Sequence, residues 1–130
     1  EASWGRVLNV ISTSVKQPIP RLGVSNTIRG AMASWAKTLS AELGPNGITV
    51  NNILPGFTET PRLRGLFESE AKRTGKDLET IIHERKQTIP LRRFAKPEET
   101  AHAAVYLASP QADYVSGINL AVDGGRTTAL

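Results

Sequence analysis

The fold is decided by residues 48–56, ITVNNILPG, where β-branched and aliphatic side chains run almost without interruption to Pro55-Gly56. Such a run predicts a buried strand that ends at the proline and glycine. Residues 6–11, RVLNVI, show the same pattern and predict another strand, which stops at Ser12-Thr13-Ser14. Near-continuous apolar strands are typical of parallel sheets that are covered on both faces.

The segment between these two strands predicts a crossover helix. Apolar side chains recur there at helical spacing as far as Gly44, and glycine commonly ends helices. These side chains are Ile28, Met32, Trp35, Ala36, Leu39 and Leu43. Two strands joined by a helix of this length form a parallel unit with a right-handed crossover. The centre of the chain therefore predicts an α/β fold.

The remainder of the chain predicts further helices and one more strand. Residues 61–88 are charged and weakly helical, with an interruption at Thr74-Gly75, so we expect two helices that form a mobile lid. Pro97 suits a first helical position, and the apolar stripe that follows it predicts a helix to Ala108. Residues 118–122 predict a last strand. Together these elements predict a doubly wound parallel sheet of three strands.

Composition excludes several classes of function. The 130 residues contain no cysteine, which removes disulfides, thiolate catalysis and sulfur-ligated zinc and suits a cytoplasmic protein. No run of about 18 apolar residues offers a membrane span. The formal charge of +4 comes from basic residues interspersed with acids, without an aromatic ladder, so no nucleic-acid partner is expected. Neither His83 nor His102 has metal-ligand spacing, and Glu1 in place of methionine suggests truncation or processing.

The position of a binding site follows from the predicted sheet. Open parallel sheets bind ligands outside the carboxyl ends of their strands, because crossover loops and helix N-termini meet there. This rule selects Ser12 after the first strand, Ser25 and Arg29 at the start of the crossover helix, and residues 55–60 after the next strand. We expect these segments to share one crevice.

Several motifs, in the same order along the chain, resemble the second half of short-chain dehydrogenases/reductases. They are GRVLNVIS (5–12), LSAEL (39–43), GITVNNILPG (47–56), PEETA (97–101), YLAS (106–109), SG (116–117) and VDGG (122–125). Within the family, these motifs are most similar to those of bacterial 3-oxoacyl-carrier-protein reductases. The resemblance implies that residues 1–130 form the C-terminal portion of a single NAD(P)-binding Rossmann-like domain. It also implies that residues 61–88 are a substrate lid.

The resemblance further implies features outside these residues. The family's glycine-rich dinucleotide loop, its residue that distinguishes NAD from NADP, and one asparagine of its catalytic tetrad belong upstream of Glu1. We therefore expect NAD or NADP as cofactor without choosing between them. Family members usually form dimers or tetramers through the long helix and the last strand, so a homodimer or homotetramer is expected.

The family's catalytic positions fall on Ser12, Ser25 and Arg29. A serine at the first position donates a hydrogen bond to the substrate carbonyl, with Thr13 and Ser14 as neighbouring candidates; otherwise Ser12 would only cap a turn. Ser25 stands where the family has tyrosine, and Arg29 where it has lysine. An aliphatic hydroxyl is far more basic than a phenol, and a guanidinium does not deprotonate, so positive charge is kept while the proton donor is unidentified. In the alternative, Ser25 is an N-cap and Arg29 a surface cation.

The loop after the central strand supplies the candidate cofactor contacts. Pro55-Gly56 lets the backbone pass close to a flat ligand, and Thr58 and Thr60 match positions that contact the nicotinamide carboxamide and pyrophosphate in the family. Arg29 would hydrogen-bond a ribose or phosphate oxygen. Thr60, which precedes Pro61, also suits an N-cap, and the two roles are compatible because the helix start presents N–H groups to phosphate.

The sequence thus predicts an NAD(P)-dependent oxidoreductase that moves a hydride between the cofactor and a small carbonyl or alcohol substrate. An alternative is a catalytically impaired family member that acts as a dinucleotide-binding or regulatory protein. The substitutions at Ser25 and Arg29 motivate that alternative.

Overall fold

A parallel sheet of three strands runs through the middle of the structure, a computed structural model that describes residues 4–129. The strands β1 (Gly5–Val10), β2 (Ile48–Pro55) and β3 (Asn119–Val122) lie in the order β1-β2-β3. Strand β2 pairs on both sides, and residues 49–54 within it are buried. All three predicted strands are confirmed, with bounds that differ by one residue at most.

Helices cover both faces of the sheet. Helix α1 (Gly23–Leu43) crosses from β1 to β2 and packs on the face that carries Leu54. The last helix, α4 (Pro97–Ala108), packs Leu107 on the face that carries Ile53. Neighbouring residues of a strand point to opposite faces, so the two apolar clusters lie on opposite sides of the sheet. The predicted doubly wound architecture is confirmed.

Two further helices connect β2 to the last helix of the chain. They are α2 (Pro61–Thr74) and α3 (Leu78–Gln87), and Gly75 between them has the positive φ of 72° that ends α2. A separate apolar cluster holds them together; its buried members are Phe67, Ile81, Ile89 and Phe94. The two helices predicted within residues 61–88 are confirmed, and their service as a lid stays a prediction.

Helix α1 differs from its predicted form at its start. It begins at Gly23 with Leu22 as the capping residue, so the interpretation of Ser25 as an N-cap is wrong. The Asn26 side chain binds both the N–H and the C=O of Ile19, which ties the preceding loop to the helix start. At the other end the helix stops at Leu43 as predicted. Gly44 keeps a right-handed conformation, and the reversal with positive φ occurs at Gly47.

An asparagine ladder crosses the three strands. Asn9 Nδ2 donates to Asn52 Oδ1 at 3.0 Å, and Asn52 Nδ2 donates to Asn119 Oδ1 at 2.8 Å. The three residues are direct partners in the strand register. Asn52 is 3% exposed, so water does not replace these bonds readily. The ladder therefore fixes the register of the strands whose ends carry the candidate site.

Replacing Asn52 with alanine is expected to lower the free energy of unfolding by about 1–3 kcal/mol, because a donor and an acceptor lose their partners in a buried place. Denaturant titration of the intact protein measures the change. Asn46→Ala, at an exposed turn position, is the matched control and should leave the midpoint unchanged. Equal midpoints for Asn52→Ala and the parent protein would show that the ladder contributes no net stability.

Candidate active site

The carboxyl ends of the three strands meet at one edge of the sheet. Pairing continues past the strand ends: the N–H of Ile11 donates to the C=O of Ile53, and that of Gly56 donates to the C=O of Val122, both at 2.9 Å. A Cβ atom on Gly56 would lie 2.7 Å from Cα of Asp123. Glycine is thus required where β2 ends, because the backbone after β3 passes too close for a side chain.

Ser12 follows β1 and caps a short helical turn at Thr13–Val15. Its Oγ accepts a hydrogen bond from the N–H of Ser14 at 3.1 Å, which fixes the orientation of the hydroxyl oxygen. Within residues 4–129 the hydroxyl proton has no acceptor, so it is available to a ligand. Thr13 and Ser14, the neighbouring candidates, are 5% and 4% exposed, whereas Ser12 is half-buried. Of the three residues, Ser12 is therefore the one whose hydroxyl oxygen is held by a backbone N–H and whose proton can be donated to a ligand.

Ser25 and Arg29 lie one helical turn apart on α1, and they line the same open cavity of about 510 Å³. The cavity is also lined by the first residues of α1 and by Arg21. In the described part of the chain, neither the Ser25 hydroxyl nor the Arg29 guanidinium has a hydrogen-bond or ion-pair partner. Ser12 is not among the residues of this cavity. The structure brings Ser25 and Arg29 together, and places Ser12 at the same edge of the sheet.

The loop of residues 55–60 is held by pairing with the segment before α4. The N–H of Ala95 donates to the C=O of Phe57 at 2.9 Å, and that of Glu59 donates to the C=O of Ala95 at 2.8 Å. The Thr58 hydroxyl donates to the C=O of Gly56 at 3.3 Å, within its own loop. Thr60 Oγ1 accepts from the N–H of Leu63 at 3.2 Å, so its predicted capping role is confirmed. The contacts of this loop with a cofactor stay predictions.

An aromatic cluster beneath the loop was not foreseen from the sequence. All three phenylalanines of the chain take part: the Phe57 ring lies 6.0 Å from Phe67 and 5.8 Å from Phe94, centroid to centroid, in edge-to-face contacts. The guanidinium carbon of Arg126 lies 4.5 Å from the Phe57 ring centre. These residues are far apart in the chain and share no periodic pattern. The sequence contains only three phenylalanines, and this low number is the one feature of the sequence that could have drawn attention to the cluster.

Asp123 organises the backbone just after β3. Its Oδ1 accepts from the N–H of Gly125 at 3.0 Å and its Oδ2 from the N–H of Thr127 at 2.8 Å. Partial burial acts to raise the pKa of Asp123, but hydrogen bonds from the side chain and backbone of Thr127 and from the backbone at residues 125 and 126 together lower it. Asp123 is therefore a fixed anion that turns its oxygens toward its own loop.

A second carboxylate secures the start of α4. The two terminal nitrogens of Arg93 donate to the two oxygens of Glu99, each at 2.6 Å, and the N–H of Lys96 donates to Glu99 Oε2 at 2.8 Å. The hydrogen bonds from Arg93, followed by that from Lys96, lower the pKa of Glu99 from its ordinary 4.5 to about 2. The ion pair ties the segment after α3 to α4, next to the loop that holds Thr58.

The ion pair between Arg93 and Glu99 predicts that the stability of the folded protein falls over a defined range of acid pH. A lowered folded-state pKa means that the unfolded chain binds a proton first, so the contribution of Glu99 is present above its ordinary pKa of 4.5 and is lost as the pH falls toward about 2. Glu99→Gln should flatten the pH dependence of the melting temperature in that window. Glu98→Gln on the same exposed turn is the control and should keep the parent slope. An unchanged slope in Glu99→Gln would contradict the assignment.

Two classes of site are missing from the described residues. No helix within residues 4–129 is long and apolar enough to cross a membrane. In the same range, no group of three or more His, Asp or Glu side chains is placed to hold a metal ion. The candidate site therefore consists of hydroxyl groups, a guanidinium and backbone N–H groups.

Known proteins match this chain along nearly all of its length. Residues 1–127 match the family model described as enoyl-(acyl carrier protein) reductase. Short-chain reductase protein NovJ of Streptomyces niveus is 38% identical over 122 residues, which cover 94% of this chain and 45% of NovJ. NADPH-dependent reductase BacG of Bacillus subtilis (strain 168) is 31% identical over 127 residues, covering 98% of this chain and 49% of BacG. The chain thus spans about half the length of the curated relatives it matches.

A solved structure agrees in fold and has an unusual centre of its own. It is the NADPH-bound structure of a short-chain oxidoreductase from Pseudomonas aeruginosa PAO1 that contains an atypical catalytic center. It superposes with a TM-score of 0.81 at 31% identity, and the match covers 100% of this chain and 48% of that protein. The described residues therefore share their fold with a short-chain oxidoreductase whose structure contains NADPH.

Proposed function

The chain belongs to the short-chain dehydrogenase/reductase family, and from this we propose that the intact protein is an NAD(P)-dependent oxidoreductase. Its substrate is a small carbonyl or alcohol compound. The observation that carries the proposal is that Ser25 and Arg29 share a cavity at the start of α1 and have no hydrogen-bond or ion-pair partner among residues 4–129. A guanidinium without a protein carboxylate is placed to hold a negatively charged ligand oxygen.

The residues present fit a nicotinamide dinucleotide. Arg29 offers donors that are unused among residues 4–129 to a ribose or phosphate oxygen, and at the start of α2, where Pro61 has no N–H and the N–H of Leu63 is bound by Thr60, the N–H of Arg62 remains for a phosphate. Pro55, Gly56 and Thr58 would line the nicotinamide side. When bound, the cofactor supplies or accepts the hydride. NADPH is named for BacG and for the Pseudomonas enzyme, which favours NADP over NAD here.

The protein's own residues then act on the substrate oxygen. Ser12 donates its free hydroxyl proton as a hydrogen bond to the carbonyl oxygen, which polarises the carbon toward hydride attack. The positive charge of Arg29 stabilises the negative charge that develops on that oxygen. Ser25 holds a water molecule beside Arg29, and the product oxygen takes its proton from solvent through the open cavity. This arrangement replaces the proton transfer that a tyrosine would perform.

The setting of the site follows the family. Helices α2 and α3, within residues 61–88, would close over the substrate, and residues 1–130 would be one portion of a single NAD(P)-binding domain. Trp35 is 51% exposed on α1, and Val24 and Ile28 are exposed on the same helix. These apolar side chains support a homodimer or homotetramer through α1. A cysteine-free composition is consistent with the cytoplasm.

A second candidate function rests on the same two residues. If Ser25 and Arg29 support binding of the cofactor but not the transfer of a proton, the protein would act as a dinucleotide-binding or regulatory protein. In the Pseudomonas enzyme, bound NADPH and an atypical catalytic center occur together, which supports cofactor binding under either candidate. Turnover, rather than binding, therefore separates the two functions.

The test compares the intact protein with its Ser25→Tyr/Arg29→Lys variant. Each is titrated with NADPH and NADH and assayed on a panel of aldehydes and ketones. The oxidoreductase proposal expects the parent protein to turn over at least one of these carbonyl compounds with NADPH or NADH. Cofactor binding without turnover, with activity only in the double variant, would favour the regulatory function.

A further inference from the structure

A second, smaller cavity lies between the loop after Ser12 and the C-terminal end of the described chain. Its volume is about 220 Å³, and its walls are Thr13, Gln17, residues 18–20, Thr88, Arg126 and Thr127. The loop of residues 13–20 connects β1, which leads to Ser12, with α1, which carries Ser25. Thr88 is the capping residue at the end of α3. The cavity therefore adjoins both the proposed carbonyl-binding serine and the proposed lid.

Arg126 is the charged residue in the wall of this cavity, and it lacks an acidic partner. Among residues 4–129 its guanidinium forms no ion pair, and its buried Nε has no hydrogen-bond partner. Asp123, the carboxylate nearest in sequence, is engaged by the N–H groups of Gly125 and Thr127 instead. A buried guanidinium nitrogen without a partner is costly in a folded protein. The terminal nitrogens of Arg126 likewise have no acceptor within residues 4–129, so these donors are open to a ligand in the cavity.

The guanidinium is held in place before any ligand binds. Its central carbon stacks 4.5 Å from the ring centre of Phe57, and Phe57 is fixed by Phe67 and Phe94. The segment that follows Arg126 is anchored as well, because Thr128 donates from its N–H to Gln17 Oε1 at 3.2 Å. An ordered guanidinium loses little conformational entropy on binding, so it can discriminate between ligands.

We propose that Arg126 binds a carboxylate group on the substrate, so that the protein acts on carbonyl compounds that also carry a carboxylate. The inference rests on the proposed oxidoreductase function and names the substrate class for the same site. A planar carboxylate accepts two parallel hydrogen bonds from a guanidinium. The hydroxyl of Thr13, which no hydrogen bond engages within residues 4–129, supplies a neutral donor beside it, whereas the hydroxyls of Thr88 and Thr127 donate to the C=O of Arg85 and to Asp123. A phosphate carries more charge, and no second cation lines the cavity to neutralise it.

The test uses the intact protein and matched pairs of probes: pyruvate, acetoacetate and levulinate, each against its methyl ester, with NADPH or NADH. These pairs vary the distance between carbonyl and carboxylate. The parent protein is expected to prefer at least one acid over its ester by about 10- to 100-fold in kcat/KM, the range of a charge-assisted hydrogen bond. Arg126→Gln should reduce that preference mainly through the KM of the acid, and Arg126→Lys should restore part of it.

Two controls separate binding from structure. Arg73→Gln removes an exposed charge on α2 and should leave the acid preference unchanged. The melting temperature of Arg126→Gln shows whether the loss of stacking on Phe57 disturbs the fold. If Arg126→Gln lowers kcat/KM for acids and esters equally, Arg126 is structural and the proposal is overturned. If the parent protein turns over acids and esters alike, the carboxylate subsite is wrong and the oxidoreductase function stands.

Calorimetry keeps the inference testable when no carbonyl compound is turned over. Pyruvate, acetoacetate and levulinate are each titrated into the cofactor-loaded parent protein and into cofactor-loaded Arg126→Gln. Binding by the parent alone supports the carboxylate subsite while contradicting the reductase function. Absence of binding of any of the three acids to either protein overturns the subsite.

Discussion

Replacing Ser12 with alanine is expected to lower kcat of the intact protein by about 100- to 1000-fold, the usual cost of removing one donor from an oxyanion-binding site. Ser12 Oγ is already held by the N–H of Ser14, so the oxygen is in place and its proton is left to donate to the substrate. The variant should bind NADPH as the parent does, because the hydroxyl acts on the substrate oxygen. Steady-state kinetics and a cofactor titration measure the two quantities.

Ser14→Ala is the matched control for this prediction. Its hydroxyl is buried and finds no hydrogen-bond partner among residues 4–129, and its N–H, which orients Ser12, is retained in alanine. We expect Ser14→Ala to keep kcat close to that of the parent protein. A Ser12→Ala variant that retained the parent kcat would remove Ser12 from the mechanism.

Replacing Arg29 with glutamine is expected to have two effects, because Arg29 is assigned to both the cofactor and the substrate oxygen. We expect kcat to fall by about 100- to 1000-fold, through loss of charge stabilisation. Cofactor affinity should fall as well, since a neutral amide gives a phosphate or ribose oxygen a weaker hydrogen bond. Stopped-flow binding and steady-state turnover separate the two losses.

Arg21→Gln tests whether position or general charge matters at this cavity. Arg21 lines the same cavity as Arg29 but precedes α1. If the fall in kcat depends on the position of Arg29, then Arg21→Gln keeps most of the activity. Equal losses in the two variants would show that any positive charge near the cavity suffices and would contradict the specific assignment.

The fold was predictable because its strands carry strong local signals. The apolar run of residues 48–54 and the similar run of residues 6–11 fixed β2 and β1, and the spacing between them required a parallel crossover. The start of α1 was less accessible, since it depends on Asn26 binding the backbone of Ile19. That contact links a helix to the loop before it and leaves no periodic trace in the sequence.

The candidate site was predictable in outline only. The rule that ligands bind at strand carboxyl ends selected Ser12, Ser25, Arg29 and the loop after β2, and family resemblance gave them roles. Neither the strand-end rule nor the family resemblance selected Arg126. Its importance depends on its stacking on Phe57 and on the hydrogen bonds that Asp123 accepts from backbone N–H groups. Such features arise from tertiary contacts between segments that are distant in sequence.

The central claim is that the protein transfers a hydride from a nicotinamide cofactor to a carbonyl carbon. The most direct test supplies NADPH with deuterium on one face of C4 of the nicotinamide ring and, separately, NADPH with deuterium on the other face. The label is located by mass spectrometry of the alcohol product. We expect deuterium on the carbinol carbon, with the Ser12→Ala and Arg29→Gln variants forming the same labelled product more slowly. An alcohol without deuterium after transfer from either labelled face, or bound cofactor that is never oxidised, would contradict the proposed function.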